Sequence, residues 1–269
     1  MTNIRICVAG ATGRMGSTLI KEALNRGGFE VVGAVVAPNE KTIGKTLLEL
    51  GIANLDLKVV GSDRLKEALK DADVYLSFTT PQAEVSNIPV VAEQRVKIVM
   101  GTTGFTDEQK KIVEDAVRGK VPAIFSPNFS IGINILFKIV KQLCKILPAD
   151  YDVSIVEAHH KGKADAPSGT AKKFLEIVSS IKGYKNEVYG RVGISKRKPE
   201  EVEVFSVRGG GIPGIHELMV AGTHELIRIE HLAFSRNVFA QGALYAAEWI
   251  YRQREPKIYS MEDVLENPL

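Results

Sequence analysis

Apolar and polar residues follow a repeating order over the first half of the chain. Compact apolar runs predict strands at 4–9, 29–37, 74–78, 97–100 and 123–126. Amphipathic or polar stretches between them predict helices at 15–25, 62–71 and 106–117. A further polar stretch, which ends at residue 95, also predicts a helix. Apolar strands separated by helices are typical of a parallel sheet that is covered on both faces. The pattern therefore predicts an α/β fold with a doubly wound parallel-sheet domain over residues 1–129.

The pattern changes after Phe129, where strands begin to follow one another without helices between them. Helices are predicted at 131–147, 168–181 and 238–252, and strands at 151–160, 202–207, 215–221 and 225–231. The stretch 182–201 is rich in Gly, Lys and Pro and is predicted to be an exposed loop. Consecutive strands favour a second, α+β domain over residues 130–239, built on an open mixed sheet. The exposed face of such a sheet is a hypothetical interface between copies of the chain.

Composition and charge narrow the classes of protein to which the chain can belong. Of its 269 residues, 45% are hydrophobic and 25% are charged, which excludes a disordered, collagen-like or disulfide-stapled chain. The net charge is only +3, and the basic residues are spread along the chain. Nucleic-acid binding needs a concentrated basic surface, so nucleic acid is not expected as a partner, whereas a small anion remains compatible.

No segment predicts export or membrane insertion. The first residues lack the basic stretch and long apolar run of a signal peptide, and no apolar run reaches the roughly 18 residues of a membrane span. Cys7 and Cys144 lie far apart in apolar surroundings without metal-ligand neighbours, so both are predicted to be buried. We therefore expect a cytoplasmic enzyme or binding protein without membrane contacts.

A glycine-rich segment joins the first predicted strand to the first predicted helix. Gly10-Ala11-Thr12-Gly13-Arg14-Met15-Gly16 has the spacing G-x-x-G-x-x-G rather than the stricter G-x-G-x-x-G. Such glycines let the backbone approach a pyrophosphate, and the amides of the helix start are aimed at its charge. The place of this segment within a β-α-β pattern predicts nucleotide binding. The alternative is a turn that only lets strand and helix pack closely.

The end of the second predicted strand bears on the choice of cofactor. Dinucleotide-binding folds usually carry an acidic residue there, which accepts hydrogen bonds from the adenine-side ribose. Here the strand ends in Val35-Val36-Ala37-Pro38-Asn39, without a carboxylate that would repel a 2′-phosphate. Arg14, Lys41 and Lys45 are near enough in sequence to help neutralise such a phosphate. The sequence therefore favours NADPH over NADH, and use of both stays open.

Two further loops follow predicted strands at the edge where parallel sheets bind ligands. They are Gly101-Thr102-Thr103-Gly104 and Ser126-Pro127-Asn128-Phe129. Small and hydroxyl-bearing residues there allow the backbone to approach a nicotinamide ring, and backbone amides can bind its carboxamide. Ordinary strand-to-helix turns are the alternative interpretation.

A histidine pair ends the predicted strand 151–160, and lysines follow it directly. His159 can titrate near neutral pH and act as a general acid, and Lys163 can donate a proton or stabilise charge on a substrate nitrogen. Adjacent histidines without a matching third ligand give poor tetrahedral geometry, so no metal site is expected. The alternative is a solvated basic strand end.

The helix that follows this pair has the features of an anion site. Ser168 is a predicted N-cap, and Gly169, Thr170 and Ala171 would then present amides at the helix start. Those amides and the helix dipole bind an anion such as a carboxylate, and the nearby cationic side chains add to the attraction. The segment suits a small dianionic substrate to which a proton is delivered.

These motifs identify a family resemblance. The residues from Glu157 to Ala171 match E-x-H-H-x-x-K-x-D-x-P-S-G-T-A, the signature of the dihydrodipicolinate reductase family, at every fixed position. The segments 10–16, 101–104, 126–134 and 231–243 also resemble family segments in the right order. The chain resembles this family over nearly its whole length.

The resemblance implies an activity and the residues that carry it. A nicotinamide cofactor, NADPH or NADH, would reduce the cyclic dicarboxylate 4-hydroxy-tetrahydrodipicolinate with loss of water, in the diaminopimelate route to lysine. His159 would be the proton donor and acceptor and Lys163 a proton donor, and the substrate would be bound by His160, Ser168, Gly169 and Thr170. The cofactor would be bound by Gly10, Ala11, Thr12, Gly13, Arg14, Met15, Gly101, Thr102, Thr103, Ser126, Pro127, Asn128 and Phe129.

The resemblance also implies a homotetramer assembled through the sheet of the second domain, and a C-terminal segment, 240–269, that returns to the first domain. Polar residues on the late strands, Arg208, His216, Glu225 and His231, are interpreted as satisfied sheet groups or interface contacts, and Arg236 is assigned no role. Two other functions stay open. One is another two-domain dehydrogenase of a small dicarboxylate or amino acid, and the other is a dinucleotide sensor without catalysis.

Overall fold

The protein divides into two compact units in its computed structural model, which describes residues 3–268. Unit 1 contains the chain up to residue 131 and from residue 236 onward, and unit 2 contains residues 132–235. The limits predicted for the second domain are 130 and 239. The helix Asn237–Arg252 packs on the helix Arg14–Arg26 of unit 1, which accounts for the earlier end of unit 2. No helix within the described range is long and apolar enough to cross a membrane.

Unit 1 contains a seven-stranded sheet in which all neighbouring strands are parallel. In sheet order the strands are β12 (Ile258–Tyr259), β6 (Ala123–Phe125), β5 (Lys97–Met100), β4 (Val74–Ser77), β1 (Ile4–Ala9), β2 (Phe29–Val36) and β3 (Val60–Gly61). The chain winds outward from β1 in both directions, which is the doubly wound arrangement. The five strands predicted for this domain are present to within one residue, whereas β3 and β12 are too short to show a pattern.

Helices cover both faces of this sheet. α1 (Arg14–Arg26), α7 (Asn237–Arg252) and α8 (Met261–Glu266) pack on one face. α2 (Leu65–Leu69), α3 (Pro81–Glu93) and α4 (Asp107–Val117) pack on the other, and a 3₁₀ turn at Ser62–Arg64 replaces the start of the helix predicted at 62–71. Successive strand residues enter opposite cores, so that Ile6 and Val8 meet α1 while Cys7 and Ala9 lie on the α2–α4 side. This two-sided burial explains the continuous apolar runs of the sequence.

Unit 2 is a five-stranded mixed sheet with helices on one face. Its strands, in sheet order, are β11 (Leu226–Leu232), β10 (Ile215–Ala221), β7 (Asp152–His159), β9 (Glu201–Arg208) and β8 (Asn186–Val188). The central strand β7 is parallel to β9 and antiparallel to β10. α5 (Ile131–Ile146) and α6 (Gly169–Lys182) each bury one apolar face in the core that this sheet forms. The prediction of an α+β domain on an open mixed sheet is confirmed.

One prediction for unit 2 is wrong. The stretch 182–201, which was predicted to be a loop, contains β8, and β8 pairs in parallel with β9. Two of the three β8 residues are exposed at the sheet edge, so they lack the apolar alternation that identifies a strand. The rest of the stretch is tied to β9 by Arg191, which pairs with Glu201 and Glu203.

The close approach of α7 to residue 129 predicts an unusual effect of adding a methyl group. Alanine in a helix interior is ordinarily more stable than glycine by about 1 kcal/mol. A Cβ at Gly242, however, would lie 1.8 Å from the carbonyl oxygen of Phe129. We expect Gly242→Ala to lower the free energy of unfolding by about 1–3 kcal/mol, because backbone has to shift to admit the methyl group.

Urea denaturation followed by circular dichroism measures this effect. Gly211→Ala is the control, since a Cβ at Gly211 meets no atom within 4 Å. A Gly242→Ala variant as stable as the unsubstituted protein would contradict the packing described for α7.

Candidate active site

The glycine turn after β1 leaves the start of α1 open to a ligand. Gly10 has a φ of +71°, and a Cβ at Gly16 would lie 2.0 Å from the Gly10 carbonyl oxygen. The N-cap residue is Gly13, which has no side chain to bind the first amides, and the first turn contains no acidic residue. Such a helix start attracts an anion and fits a pyrophosphate. Of the predicted cofactor residues here, Ala11 is fully buried, while at least partial exposure is found for Gly10, Thr12, Gly13, Arg14 and Met15.

The loop after β5 lies at the same sheet edge, because parallel strands end together. Gly101 packs against the ring of Phe78 with no room for a Cβ. Thr102 is only 7% exposed, and its hydroxyl is engaged in hydrogen bonds within the protein. Thr103 is exposed. Of the three predicted cofactor residues in this loop, Thr103 therefore has the side chain best placed to meet a ligand.

The loop after β6 is compact. The Ser126 hydroxyl donates to the Asn128 carbonyl at 2.8 Å, and the Asn128 side-chain oxygen accepts from an amide two residues on, also at 2.8 Å. The Phe129 ring is buried in the apolar core and only Pro127 is exposed. A cavity of about 470 Å³ in unit 1 is lined in part by Thr102, Thr103, Ser126 and Pro127. Its volume is typical of a small-molecule site.

In unit 2, the buried face of β7 carries apolar side chains at its start and ionisable side chains at its end. Four alternating residues are buried on this face, namely Val153, Ile155, Glu157 and His159. The neighbouring strands add polar residues at the same end, because His216 of β10 pairs with Glu157 and Arg208 of β9 pairs with His159 in the sheet register. The register therefore gathers four ionisable side chains that are distant in sequence.

The carboxylate of Glu157 is completely buried and accepts hydrogen bonds from three residues. Arg208 binds both of its oxygens, at 2.8 and 2.9 Å, and His159 Nδ1 lies 2.5 Å from Oε2. The amide of Ser168 donates to Oε1 at 3.1 Å. Burial would raise the pKa of Glu157, but the hydrogen bonds from His159 and Arg208 hold it well below its ordinary value. Because a carboxylate only accepts, His159 carries a proton on Nδ1.

Ser168 connects this group to the start of α6. Its hydroxyl accepts from the Ala171 amide at 3.2 Å, as predicted for an N-cap, and lies 3.1 Å from Nε2 of His216. The His216 ring meets the His159 ring edge-on, with centroids 5.1 Å apart. Burial, with a smaller contribution from His159, lowers the pKa of His216 to about 3. His216 is therefore neutral at pH 7 and acts as a hydrogen-bonding and packing partner.

The chain turns sharply between β7 and α6. The Lys163 amide donates to the carbonyl of His160 at 3.0 Å, and the Lys163 ammonium pairs with Asp165 at 2.8 Å. Gly169, the first residue of α6, is exposed, and no atom lies within 4 Å of the position of a Cβ. Thr170 is buried behind it. A ligand can therefore reach the backbone of α6 at Gly169.

Arg208 and His216, interpreted from the sequence as satisfied sheet groups or interface contacts, are hydrogen-bonded sheet residues whose partners are Glu157 and Ser168. The strand pattern contained a signal for His216, which precedes the buried Leu218 at the spacing of buried residues. It contained none for Arg208, because the buried alternation of Val202 and Val204 ends at the exposed Ser206. A polar residue at a core position near a strand end indicates a site.

Two family models match the chain along almost its whole length. Dihydrodipicolinate reductase, N-terminus, matches residues 4–129, and dihydrodipicolinate reductase, C-terminus, matches residues 132–265. The chain belongs to the dihydrodipicolinate reductase family. This membership confirms the family resemblance that was identified from the sequence motifs.

Curated relatives of this family are similar to the chain over its full length. The 4-hydroxy-tetrahydrodipicolinate reductase of Methanosarcina mazei is 44% identical over 266 residues, which cover 97% of this chain and 99% of the relative. The protein of the same name from Methanocaldococcus jannaschii is 41% identical and covers 97% of each chain. The interpretation of the chain as an NAD(P)H-dependent oxidoreductase is thereby confirmed.

Solved structures share the fold. A dipicolinate-bound dihydrodipicolinate reductase from Paenisporosarcina sp. TG-14 matches with a TM-score of 0.72 and 25% identity, covering 98% of this chain and all of the other. An amine dehydrogenase from Mycobacterium smegmatis matches with a TM-score of 0.66 but only 14% identity, covering 96% of this chain and 95% of that one. The second likeness concerns the fold alone. The predicted fold class is confirmed.

The buried, neutral His216 predicts how stability depends on pH. In the unfolded chain a histidine binds a proton near its ordinary pKa of 6.5, whereas folded His216 does so near 3. The unfolded state therefore holds the extra proton between these values. We expect the free energy of unfolding to fall from pH 7 to pH 4, with His216 contributing up to about 1.4 kcal/mol per pH unit.

Urea denaturation at several pH values tests this contribution. His216→Gln should reduce the slope of the free energy of unfolding against pH by an amount that corresponds to at most one proton. His224→Gln, at an exposed position, should leave this slope unchanged. Equal slopes for His216→Gln and the unsubstituted protein would contradict the assignment of a buried neutral imidazole.

Proposed function

We propose that the protein reduces 4-hydroxy-tetrahydrodipicolinate to tetrahydrodipicolinate with a reduced nicotinamide cofactor. The observation that carries this proposal is the Glu157–His159 pair beside the Lys163 turn and the open start of α6. Proton-transferring groups next to an anion-binding helix start suit an anionic substrate that must be protonated. Curated relatives at about 42% identity carry the name of this activity. In this role the protein contributes to the diaminopimelate route to lysine.

The overall reaction consumes the substrate, one proton and the reduced cofactor, and releases tetrahydrodipicolinate, water and the oxidised cofactor. When bound, the cofactor supplies the hydride. The residues that would hold it are those of the glycine turn and of the loops after β5 and β6. The protein's own backbone and side chains bind the two carboxylates, and its side chains supply the proton.

Carboxylate binding falls to the start of α6 and the turn before it. The exposed backbone at Gly169 can donate to one carboxylate, reinforced by the dipole of α6. His160 and Lys163 lie on the preceding turn and add hydrogen-bond donors and positive charge. Thr170 and Ser168 shape this end of the helix from its buried side.

Proton transfer falls to His159 and Lys163. Glu157 holds Nδ1 of His159, so Nε2 is the atom that exchanges a proton with the substrate. Nε2 faces Gly214, where a Cβ would lie 3.3 Å away, so the missing side chain leaves room beside the ring. The Lys163 ammonium donates a proton or stabilises charge that develops on the ring nitrogen. Arg208 keeps Glu157 ionised, and the carboxylate in turn orients His159.

NADPH is the preferred cofactor in this proposal, with NADH also accepted. β2 ends at Val36, and the exposed residues 37–39 after it carry no carboxylate that would repel a 2′-phosphate. Three basic side chains on the surface of unit 1 are candidates for binding that phosphate: Arg14, Lys41 and Lys45.

We also propose a cytoplasmic homotetramer assembled through the sheet of unit 2. Support comes from the edge strand β11 and the segment after it, which expose large apolar side chains. Leu226 is 48% exposed and Phe234 is 90% exposed in the single chain. Self-association would remove this surface from water.

Oxidation of NADPH in the presence of freshly prepared 4-hydroxy-tetrahydrodipicolinate tests the activity, read as loss of absorbance at the nicotinamide band. We expect His159→Gln and Lys163→Ala each to lower turnover about 100-fold or more, because each removes a positioned proton donor. Cofactor affinity should stay unchanged in both. Lys161→Ala, at the exposed neighbouring lysine, is the matched control and should retain turnover.

Near-normal turnover in both variants would remove the assigned roles of His159 and Lys163. Saturable cofactor binding without turnover by the unsubstituted protein would favour the dinucleotide sensor. Turnover of another small dicarboxylate or amino acid alone would favour a different dehydrogenase.

Ala37→Asp tests the cofactor preference. A carboxylate directly after β2 repels a 2′-phosphate and can accept from a ribose hydroxyl, so we expect the ratio of kcat/KM for NADPH to that for NADH to fall about tenfold or more. Ala37→Asn has a similar size without the charge and serves as the control. An unchanged ratio in Ala37→Asp would mean that the ribose does not bind at the end of β2.

A further inference from the structure

A second buried carboxyl lies in unit 1 and is not one of the predicted site residues. Glu84 belongs to the first turns of α3 and is completely buried. Burying a carboxyl without hydrogen-bond partners is strongly unfavourable, so its partners determine whether α3 can pack in this position. The proposed reaction does not use Glu84 for binding or proton transfer.

Three hydroxyl groups donate to one oxygen of Glu84. They belong to Ser77, the last residue of β4, to Thr79 in the loop after β4, and to Thr102 in the loop after β5. Burial raises the pKa of Glu84, and these hydrogen bonds oppose the shift. One carboxyl therefore connects α3 with two loops that follow neighbouring strands.

The two loops are also bound to each other at this point. The Thr102 hydroxyl accepts from the backbone amide of Thr79 at 3.0 Å while it donates to Glu84 at 3.2 Å. The Gly101 amide donates to the Ser77 carbonyl at 2.8 Å, and the Phe78 ring fills the space beside Gly101. A displacement of Glu84 would therefore move the loop that carries Gly101, Thr102 and Thr103.

We propose that Glu84 is a positioning residue for the cofactor site, because it holds the loops after β4 and β5 in the arrangement that receives the nicotinamide end of the cofactor. The proposal deepens the proposed function and rests on its assignment of Gly101–Thr103 to cofactor binding. Glu84 acts through Thr79 and Thr102 and does not itself contact the cofactor.

The test compares NADPH affinity with thermal stability in the full chain. Isothermal titration gives the Kd for NADPH, and differential scanning fluorimetry gives the Tm. We expect Glu84→Ala to raise the Kd about tenfold or more, because the loops lose their common acceptor. Glu84→Gln should stay within about threefold, because its amide oxygen can accept the same three hydrogen bonds and Oε2 has no partner to lose.

Val91→Ala is the control for stability alone. Val91 is completely buried on the same helix, belongs to the apolar core on the α2–α4 side and has no polar group to bind the three hydroxyls. It should lower the Tm as Glu84→Ala does, yet leave the Kd for NADPH within about twofold. In turnover assays, Glu84→Ala should raise the KM for NADPH more than the KM for the dicarboxylate.

Thr102→Val and Thr102→Ser test the donor of the Thr102–Glu84 hydrogen bond by the same measurement of the Kd for NADPH. Thr102→Val, which lacks the hydroxyl, should weaken NADPH binding, and Thr102→Ser should restore it. This pair can still refute the proposal where Glu84→Ala does not fold, because equal values of Kd in the two Thr102 variants would contradict it.

Two results would overturn the proposal. One is a Kd in Glu84→Ala that matches Val91→Ala, and the other is a Kd in Thr102→Val equal to that of Thr102→Ser. If the unsubstituted protein binds NADPH without reducing the dicarboxylate, the proposed function fails, but the Kd comparison still decides the role of Glu84.

Discussion

The carboxylate of Glu157 is buried in the sheet of unit 2, and its need for hydrogen-bond donors organises the residues around it. Arg208 supplies two donors, the Ser168 amide a third and His159 a fourth. A buried charge is tolerated only when it is paired and hydrogen-bonded, so each partner is held in a defined place. The orientation of the His159 ring and the start of α6 both depend on this one group.

Unit 1 also contains a buried carboxyl whose hydrogen bonds hold neighbouring residues in place. The strands β1, β4, β5 and β6 end at the same edge of its parallel sheet, but this alone does not fix the positions of the loops that follow them. Glu84 supplies an acceptor that three hydroxyl groups share, whereas Glu157 is bound by the guanidinium of Arg208 together with His159 and a backbone amide. In both units a buried carboxyl on a regular element orders residues that come from a loop or a neighbouring strand.

The family comparison explains why so much could be predicted from motifs. The glycine turn, the Gly101–Gly104 loop and the segment from Glu157 to Ala171 are each continuous in sequence, so their residue types and spacing can be recognised without knowledge of their partners. Ser168 caps α6 because its hydroxyl reaches an amide three residues on. Likewise, the strands of unit 1 are buried on both faces, so their apolar runs are visible without any knowledge of their neighbours. The edge strand β8 is mostly exposed and shows no such run, so the apolar pattern does not reveal it.

The amino-acid sequence alone determined the two fold classes, most of the helix starts and the segment that carries His159 and Lys163, because periodicity, capping and turn geometry act over a few residues. Only the tertiary structure decided that Arg208 and His216 belong with Glu157. They are distant along the chain, and the parallel pairing of β7 with β9 and the antiparallel pairing with β10 set which residues meet. Strand register is a long-range property, since a shift of one residue would turn every side chain to the other face. The contact between Glu84 and Thr102 is also long-range, because it depends on how α3 packs beside the end of β5.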